Sequence, residues 1–297
     1  MAIRTLVCTD GSEPSRRTLE YVARLARKFP LETVLAHALD LKRLEYRMIA
    51  DMYMEMIQQR AKETAEAVLR NEAKVLHEAG VRVRPRLLLG AAGPVICQAA
   101  EEEDAALVVL GRKGHSDIQD LLFGSTSGYV VHHCERPVLV VKRTGRFPSG
   151  PEAEREVRCL VGIDGSEASA RCLDALVALA EAASGLEVTL LHVVNPAQPG
   201  FEHLPAEARY EALRNLHEDA QNLLASAAER LERVGFRVRT RVEEGAAGKT
   251  LCQVCEEDDF ELVVLGRRGY GELSEVVLGS VSHFVVHRCP SHVLVVP

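Results

Sequence analysis

The chain alternates between short apolar runs and longer stretches with helical periodicity. In its first half, the apolar runs predict strands near Arg4 to Cys8, Thr33 to Ala38, Val81 to Leu88, Leu107 to Leu110 and Val138 to Val141. Helical patterns separate these strands. Strands that alternate with helices form parallel sheets with right-handed crossovers and helices on both faces. The pattern therefore predicts an α/β fold built on a five-stranded parallel sheet.

The second half of the chain repeats the first. Aligning Gly90 to Val141 with Gly245 to Val296, at a shift of 155 residues, gives 27 identities in 52 positions without a gap. Upstream, Val7 to Glu13 aligns with Val161 to Glu167 at a shift of 154 residues. Only one residue has therefore been inserted between the two anchors, and the repeat covers a whole domain.

The boundary between the copies lies in a segment rich in proline, glycine and charge, which breaks both periodicities. We therefore expect a first domain over residues 1–143, a linker over 144–155 and a second domain over 156–297. The predicted fold class is α/β, with two tandem Rossmann-like domains that each have a five-stranded parallel sheet and helices on both faces.

Each copy carries one glycine and serine pattern directly after its fourth strand. Gly111-x-x-Gly114, nine residues and Gly124-Ser125 recur as Gly266-x-x-Gly269, nine residues and Gly279-Ser280. Glycine lets the backbone approach a ligand closely and allows positive φ values, which aim amide hydrogens into a nest for phosphate oxygens. The serines add hydroxyl donors just before helical patterns, whose amino-terminal amides favour anions.

A lone pattern of this kind more often only turns the chain after a strand. Here the nine intervening residues differ almost completely between the copies, while the glycines and the serine persist. We therefore interpret both loops as phosphate sites at the carboxyl ends of strands, where α/β proteins bind nucleotides. The pairs Arg112-Lys113 and Arg267-Arg268 are candidate helpers that neutralise phosphate charge.

Composition narrows the classes of partner. The 297 residues are 47% apolar, enough for two folded cores, and the net charge of -7 disfavours nucleic-acid partners. No apolar stretch reaches the roughly 18 to 20 residues of a membrane span, and the start of the chain shows no signal peptide. We expect no membrane partner, a cytoplasmic location, and eight cysteines that are reduced and mostly packed in the cores.

Other motifs in the sequence suggest different kinds of site. The segment Gly245 to Thr250 is similar to a Walker loop, but Glu243 occupies the first glycine position and the other copy has no lysine, so we expect a strand-to-helix turn. Cys252-x-x-Cys255 keeps only one cysteine in the other copy, which favours packing. No histidine or cysteine cluster has convincing metal-ligand spacing, so no metal site is predicted.

Together these features resemble the universal stress protein family in its tandem form, whose nucleotide-binding members carry G-x2-G-x9-G-[S/T] after the fourth strand. The resemblance covers nearly the whole chain. It includes the Asp-Gly-Ser runs that begin at Asp10 and Asp164, the strand endings Ala36-His37-Ala38 and Leu191-His192-Val193, Gly93-Pro94 before the third helix, and the closing segments Cys134 to Val141 and Cys289 to Val296.

The resemblance implies that ATP, or AMP or ADP, lies across the strand ends, with Mg²⁺ held by the phosphates. It places Asp10 and Asp164 near the ribose or adenine, and Ala38 and Val193 at the adenine edge, although the family usually has a residue larger than Ala38 there. From local sequence alone, the aspartates are explained equally well as turn formers and helix caps. The expected nucleotide-binding residues are Thr9, Asp10, Ala38, Leu110, Gly111, Arg112, Gly114, His115, Gly124, Ser125, Thr126 and Ser127 in the first domain, and Ile163, Asp164, Val193, Leu265, Gly266, Arg267, Gly269, Gly279, Ser280, Val281 and Ser282 in the second.

No Ser-His-Asp order or carboxylate pair stands out beside the loops, so no catalytic residue is predicted. We expect a stress-response protein that binds an adenine nucleotide in each domain and acts as a sensor or regulator toward unknown protein partners. The alternatives are a slow Mg-dependent ATPase and a nucleotide-independent interaction module. The resemblance also implies an intramolecular pseudo-dimer of the two domains. The full chain could also form a homodimer, with the long helices around Arg43 to Ala79 and Ala206 to Val234 as candidate surfaces.

Overall fold

The computed structural model describes residues 2–44, 51–112, 124–142, 145, 155–180, 185–197, 203–269 and 278–297. The chain divides into two compact units, a first unit over Met1–Arg143 and a second unit over Thr144–Pro297. Gly114 and His115 of the predicted site, and most of the predicted linker, lie outside the described residues.

The first unit alternates strands and helices as its sequence pattern predicts. Its sheet has the order β3-β2-β1-β4-β5, and every neighbouring pair is parallel. The elements are β1 (Ile3–Thr9), α1 (Glu13–Ala26), β2 (Leu31–Leu39), a short 3₁₀ helix (Leu41–Leu44), α2 (Asp51–Glu78), β3 (Arg82–Leu89), α3 (Ala92–Glu102), β4 (Leu107–Gly111), α4 (Ser125–His133) and β5 (Val138–Val141).

The second unit repeats this topology with the strand order β8-β7-β6-β9-β10, again all parallel. The elements are β6 (Val157–Gly162), α5 (Glu167–Ala180), β7 (Leu186–Val194), α6 (Ala206–Glu232), β8 (Arg237–Glu244), α7 (Ala247–Glu257), β9 (Leu262–Gly266), α8 (Ser280–Arg288) and β10 (His292–Val296). The predicted α/β class, with a five-stranded parallel sheet in each half, is confirmed.

The cores lie on both faces of each sheet. Strands β4 and β9 share the sequence Leu-Val-Val-Leu-Gly, and their three middle residues are buried. Such continuous apolar runs are typical of parallel strands covered on both sides. In the first unit α1 packs against α2 and α3 packs against α4, and the second unit repeats both pairings. Within the described ranges, no helix is both long and apolar enough to cross a membrane.

The strand order places the predicted motifs at one edge of each sheet. From β1 the chain moves outward to β2, whereas from β4 it moves in the opposite direction to β5. Two parallel neighbours whose connections diverge leave a crevice beyond their carboxyl ends, and this is where open α/β sheets bind ligands. The Asp-Gly-Ser runs leave β1 and β6, and the glycine loops leave β4 and β9, so both motifs border this crevice in each unit.

All eight cysteines are thiols rather than disulfides, and six of them are buried, which agrees with a packing role. Burial raises the pKa of the Cys8 thiol to about 12, and it does the same for Cys172, where the Asp164 carboxylate adds to the effect. These two thiols therefore stay protonated at neutral pH.

Candidate functional site

A cavity of about 460 Å³ lies at the carboxyl ends of the strands in the second unit. Residues at the ends of β6, β7 and β9 line it, and α7 and the amino-terminal turn of α8 complete its wall. The volume falls within the roughly 300 to 1,000 Å³ of small-molecule sites. The cavity therefore occupies the crevice that the strand order creates.

Most of the residues predicted for the second domain meet at this cavity. Ten of the eleven line it: Ile163, Asp164, Val193, Leu265, Gly266, Gly269, Gly279, Ser280, Val281 and Ser282. These residues come from four separate parts of the chain, at the ends of β6, β7 and β9 and the start of α8. The fold thus brings together residues that the sequence shows only as separate motifs.

Arg267 is the exception, because its side chain is buried and only 5% of the residue is exposed. Its amide donates to the carbonyl of Val296 at 2.6 Å, and its carbonyl accepts from the amide of Gly279 at 2.8 Å. This backbone bonding extends the strand by one residue and turns the Arg267 side chain into the protein. The neighbouring Arg268 lines the cavity instead and supplies its positive charge.

Further residues, which were not predicted to bind nucleotide, also line the cavity. They are Gly162, Ser169, Leu191, His192, Asn195, Ala247 and Leu251. Ala247 and Leu251 belong to α7, which begins just after the turn at Gly245, so the Walker-like segment was a signal for part of this wall. His192, named above only as part of a strand ending, donates from Nδ1 to the carbonyl of Ile163 at 2.7 Å and ties the ends of β6 and β7 together.

The two motif aspartates each form the tight turn that local sequence predicts. Oδ1 of Asp164 accepts from the amide of Ser166 at 3.0 Å and from its hydroxyl at 2.5 Å. Oδ1 of Asp10 accepts from Ser12 at the same two distances. The other carboxylate oxygen of Asp164, Oδ2, faces Gly269 in the glycine loop. A Cβ added to Gly269 would lie only 2.6 Å from this oxygen. The Asp-Gly-Ser run and the Gly-x-x-Gly loop therefore touch in the second unit.

The two loop glycines that precede helices do not use the positive φ values that glycine allows. Gly124 has φ of -63° and Gly279 has φ of -60°, values open to any residue. Gly266 is required for close packing, since an added Cβ would lie 2.6 Å from the Cβ of Ala168 and 2.9 Å from its backbone carbon. Space, more than backbone freedom, explains glycine at Gly266 and Gly269.

Helices α4 and α8 begin at the serines of the two motifs, directly after the glycine caps. The capping residues Gly124 and Gly279 have no side chain with which to cap the helices, and Ser125 and Ser280 are exposed. The amides of a helix's first turn have no carbonyl partner within the helix, so they attract anions. Each helix start therefore combines first-turn amides with an exposed serine.

The serine two residues after each motif, Ser127 or Ser282, has a structural role. Ser127 is buried and donates to the carbonyl of Arg112 at 2.8 Å, and the buried Ser282 donates to the carbonyl of Gly266 at 2.6 Å. These hydroxyls hold the strand end against the helix start. Ser127 and Ser282 therefore shape the loop, while Ser125 and Ser280 face outward.

The described part of the first unit places its predicted residues in the same way. Thr9 ends β1 and Asp10 follows it, Ala38 lies near the end of β2, and Leu110 and Gly111 end β4. The amide of Arg112 donates to the carbonyl of Val141 at 3.0 Å, as Arg267 does to Val296. The remaining described residues of this set, Gly124, Ser125, Thr126 and Ser127, form the start of α4.

The competing motifs are resolved by the same geometry. Strand β8 ends at Glu244 and α7 begins at Ala247, so the Walker-like segment is the predicted strand-to-helix turn. Lys249 is exposed. Among the described residues, no group of three or more His, Cys, Asp or Glu side chains is placed to hold a metal ion.

The fold defines a tandem α/β protein, whose second unit has a cavity at the carboxyl ends of its parallel strands. The profile of the universal stress protein family matches residues 1–142 and 157–297. The chain belongs to this family, in its tandem form.

Individual relatives agree with this assignment. A universal stress protein of Mycolicibacterium smegmatis is 27% identical over 303 residues, which cover 98% of this chain and 96% of that protein. YxiE of Bacillus subtilis is 32% identical over 145 residues, which cover 47% of this chain and 97% of its own length. A solved universal stress protein of Archaeoglobus fulgidus matches 99% of this chain and 97% of its own with a TM-score of 0.69 at 23% identity, so it shares the fold.

Proposed function

We propose that the protein is a cytoplasmic stress-response protein that binds ATP, or another adenine nucleotide, at the strand ends of each unit. Nucleotide occupancy would act as a signal to protein partners, as in a sensor or regulator. The observation that carries the proposal is the meeting of the Asp-Gly-Ser run and the glycine loop at one cavity, through Asp164 and Gly269.

The cavity has an end that suits phosphates. Ser280 presents a hydroxyl at the start of α8, next to the amides of the first turn, and Arg268 adds a guanidinium. Helix amides, a hydroxyl and a cation are the groups that bind phosphate oxygens in proteins. The triphosphate is therefore assigned to the α8 side of the cavity.

The rest of the cavity suits a base and a sugar. Leu191, Val193 and Leu251 offer apolar surface to a planar ring, while Asp164 and Asn195 offer polar groups to hydroxyls and ring nitrogens. Ligand sites combine apolar walls with a few placed polar groups in this way. The adenine is assigned to the β7 edge and the ribose to Asp164.

The first unit repeats the Asp turn at Asp10 and the helix start at Ser125, which follows a capping glycine, so we propose a second nucleotide site there. Mg²⁺ would accompany the nucleotide, held by its phosphates. We further propose that the two units pair as an intramolecular pseudo-dimer.

The test is a charge reversal at the phosphate end. Aspartate at the first position of a helix favours the helix through its dipole, by about 0.3–1 kcal/mol, while it repels a bound phosphate. Ser280→Asp should therefore fold normally and lose ATP binding in the second unit, and Ser125→Asp should do the same in the first. Ser226→Asp, on the exposed face of α6, is the matched control and should bind ATP like the unmodified protein. The proposal would be refuted if the double variant Ser125→Asp, Ser280→Asp bound ATP with unchanged affinity in calorimetry.

A further inference from the structure

The two sites differ at a buried pair of residues behind the Asp-Gly-Ser turn. In the repeat alignment Thr9 corresponds to Ile163, and Glu72 on α2 corresponds to Ala227 on α6. The helix alignment follows burial, because Leu69 and Leu224 are both buried one turn earlier. All four positions of the pair are also buried, with exposures of 6% for Thr9, 4% for Ile163, 6% for Glu72 and 6% for Ala227. A polar pair in the first unit thus replaces an apolar pair in the second.

The polar pair is connected to the turn that carries the motif aspartate. The Thr9 hydroxyl donates to Oε2 of Glu72, and the Gly11 amide donates to Oγ1 of Thr9 at 3.1 Å. Gly11 follows Asp10 directly and has φ of +78°. A hydrogen-bonded relay therefore runs from the buried Glu72 carboxyl, through Thr9, into the backbone of the Asp10 turn.

The charges around Glu72 make its protonation sensitive to this turn. Burial raises the pKa of Glu72, and the nearby Asp10 carboxylate raises it further, while the Thr9 hydrogen bond and Arg16 on α1 lower it. From β2, the neighbouring strand, His37 is aligned with Thr9. Arginines of β3 pair with glutamates of α3 instead. The negative charge of Asp10 therefore favours the neutral form of the Glu72 carboxyl.

We propose that Glu72 is a positioning residue of the first site, which makes nucleotide binding there take up a proton that binding in the second site does not require. This inference rests on the proposed function. A nucleotide whose ribose lies at the Asp10 turn brings the negative charge of its phosphates into the same site. This charge adds to that of Asp10, which already raises the pKa of Glu72, so binding favours the neutral carboxyl. Binding in the first site therefore strengthens as pH falls, and the second site, with Ile163 and Ala227, lacks the group.

The experiment compares the two sites with the same ligand. Ser280→Asp protein keeps the first site, and Ser125→Asp protein keeps the second, so the ionisation of ATP itself contributes equally to both. ATP is titrated into each by calorimetry from pH 4.5, the ordinary pKa of the carboxyl, up to pH 8, in buffers of different ionisation enthalpy, which counts the protons taken up. The first site should take up more protons, by at most one. As pH rises through the range in which Glu72 titrates, the affinity of the first site relative to that of the second site should fall by up to about tenfold per pH unit.

Two exchanges identify the group responsible. In the Ser280→Asp background, Glu72→Gln keeps the side-chain volume and should remove the extra proton uptake. Thr9→Ile with Glu72→Ala gives the first site the pair of the second and should remove it as well. Thermal unfolding of each variant checks that it is folded.

The outcomes separate the two proposals. Equal proton uptake in the two single-site proteins, or an excess that survives Glu72→Gln, would overturn the role of Glu72 and leave ATP binding intact. Absence of ATP binding in every protein would overturn the proposed function, and this inference with it.

Discussion

Gly266 and Gly269 belong to one motif, but the structure assigns them different physical roles that substitution by alanine can separate. A Cβ at Gly266 would lie 2.6 Å and 2.9 Å from the Cβ and backbone carbon of Ala168, on α5. A Cβ at Gly269 would lie 2.6 Å from Oδ2 of Asp164, the end of a short side chain. We expect Gly266→Ala to reduce stability and Gly269→Ala to reduce nucleotide binding.

The magnitudes follow from what must move. Carbon atoms in contact are normally about 3.5–4.0 Å apart, so Gly266→Ala creates an overlap of about 1 Å that only a shift of α5 can relieve. Overpacking of this kind costs about 1–3 kcal/mol, or roughly 3–10 °C in melting temperature for a unit of this size. Gly269→Ala needs only rotation of the Asp164 side chain, so its effect on stability should stay below about 1 kcal/mol. Loss of a hydrogen bond to a charged group, worth about 1.5–3 kcal/mol, should weaken ATP binding by about tenfold to a hundredfold.

The assays are thermal unfolding for stability and calorimetry for binding, both in the Ser125→Asp background that retains only the second site. Asp164→Ala supplies the control: once the carboxylate is gone, Gly269→Ala should have little further effect on binding. The reasoning is refuted if Gly269→Ala lowers stability as much as Gly266→Ala, or if it weakens binding equally with and without Asp164.

Three further predictions test the core, the buried carboxyl and the thiols. Leu160 in β6 is fully buried, so Leu160→Ala should lower the free energy of unfolding by about 2–5 kcal/mol in denaturant titrations, and a loss below about 1 kcal/mol would contradict this packing. Because the folded pKa of Glu72 is raised above its ordinary value of 4.5, the unmodified protein should lose stability as pH rises from that value through the folded pKa. Glu72→Gln should escape this loss, so its melting temperature relative to the unmodified protein should increase with pH, and a constant difference would count against the assignment. Cys8 and Cys172, buried and with pKa values of about 12, should resist iodoacetamide at pH 8 until the chain unfolds, and rapid labelling of folded protein would be evidence against their burial.

The strand pattern was predictable because burial on both sheet faces demands continuous apolar runs. The predicted run Leu107 to Leu110 lies in β4, which continues for one further residue to Gly111. The repeated sequence forms β9, which likewise ends at a glycine, Gly266. Parallel order followed from the alternation of strands with helices. Once the order was known, the position of the motifs at one sheet edge followed as well.

The details of the site were less predictable because they depend on contacts between distant parts of the chain. Nothing local distinguishes Arg267 from Arg268, and only the backbone bonds to Val296 and Gly279 show which side chain turns inward. The contributions of Ala247 and Asn195 likewise depend on how α7 and β7 meet the crevice. Sequence motifs identify the site residues at the strand ends, whereas tertiary packing determines which other residues form the cavity wall.

The backbone angles of Gly124 and Gly279 were not predictable from the sequence for a related reason. Glycine permits positive φ angles, but the sequence does not show whether the chain uses them. At these two positions the backbone is extended and enters a helix. Close contacts with Ala168 and Asp164 explain Gly266 and Gly269, and they appear only in the folded chain.

A calorimetric titration of ATP into the unmodified full chain decides whether each unit binds a nucleotide. We expect saturable binding with two nucleotides per chain, reduced to one by either Ser125→Asp or Ser280→Asp and abolished when both are present. Absence of saturable ATP binding by the unmodified protein, or binding that survives the double substitution, would contradict this expectation.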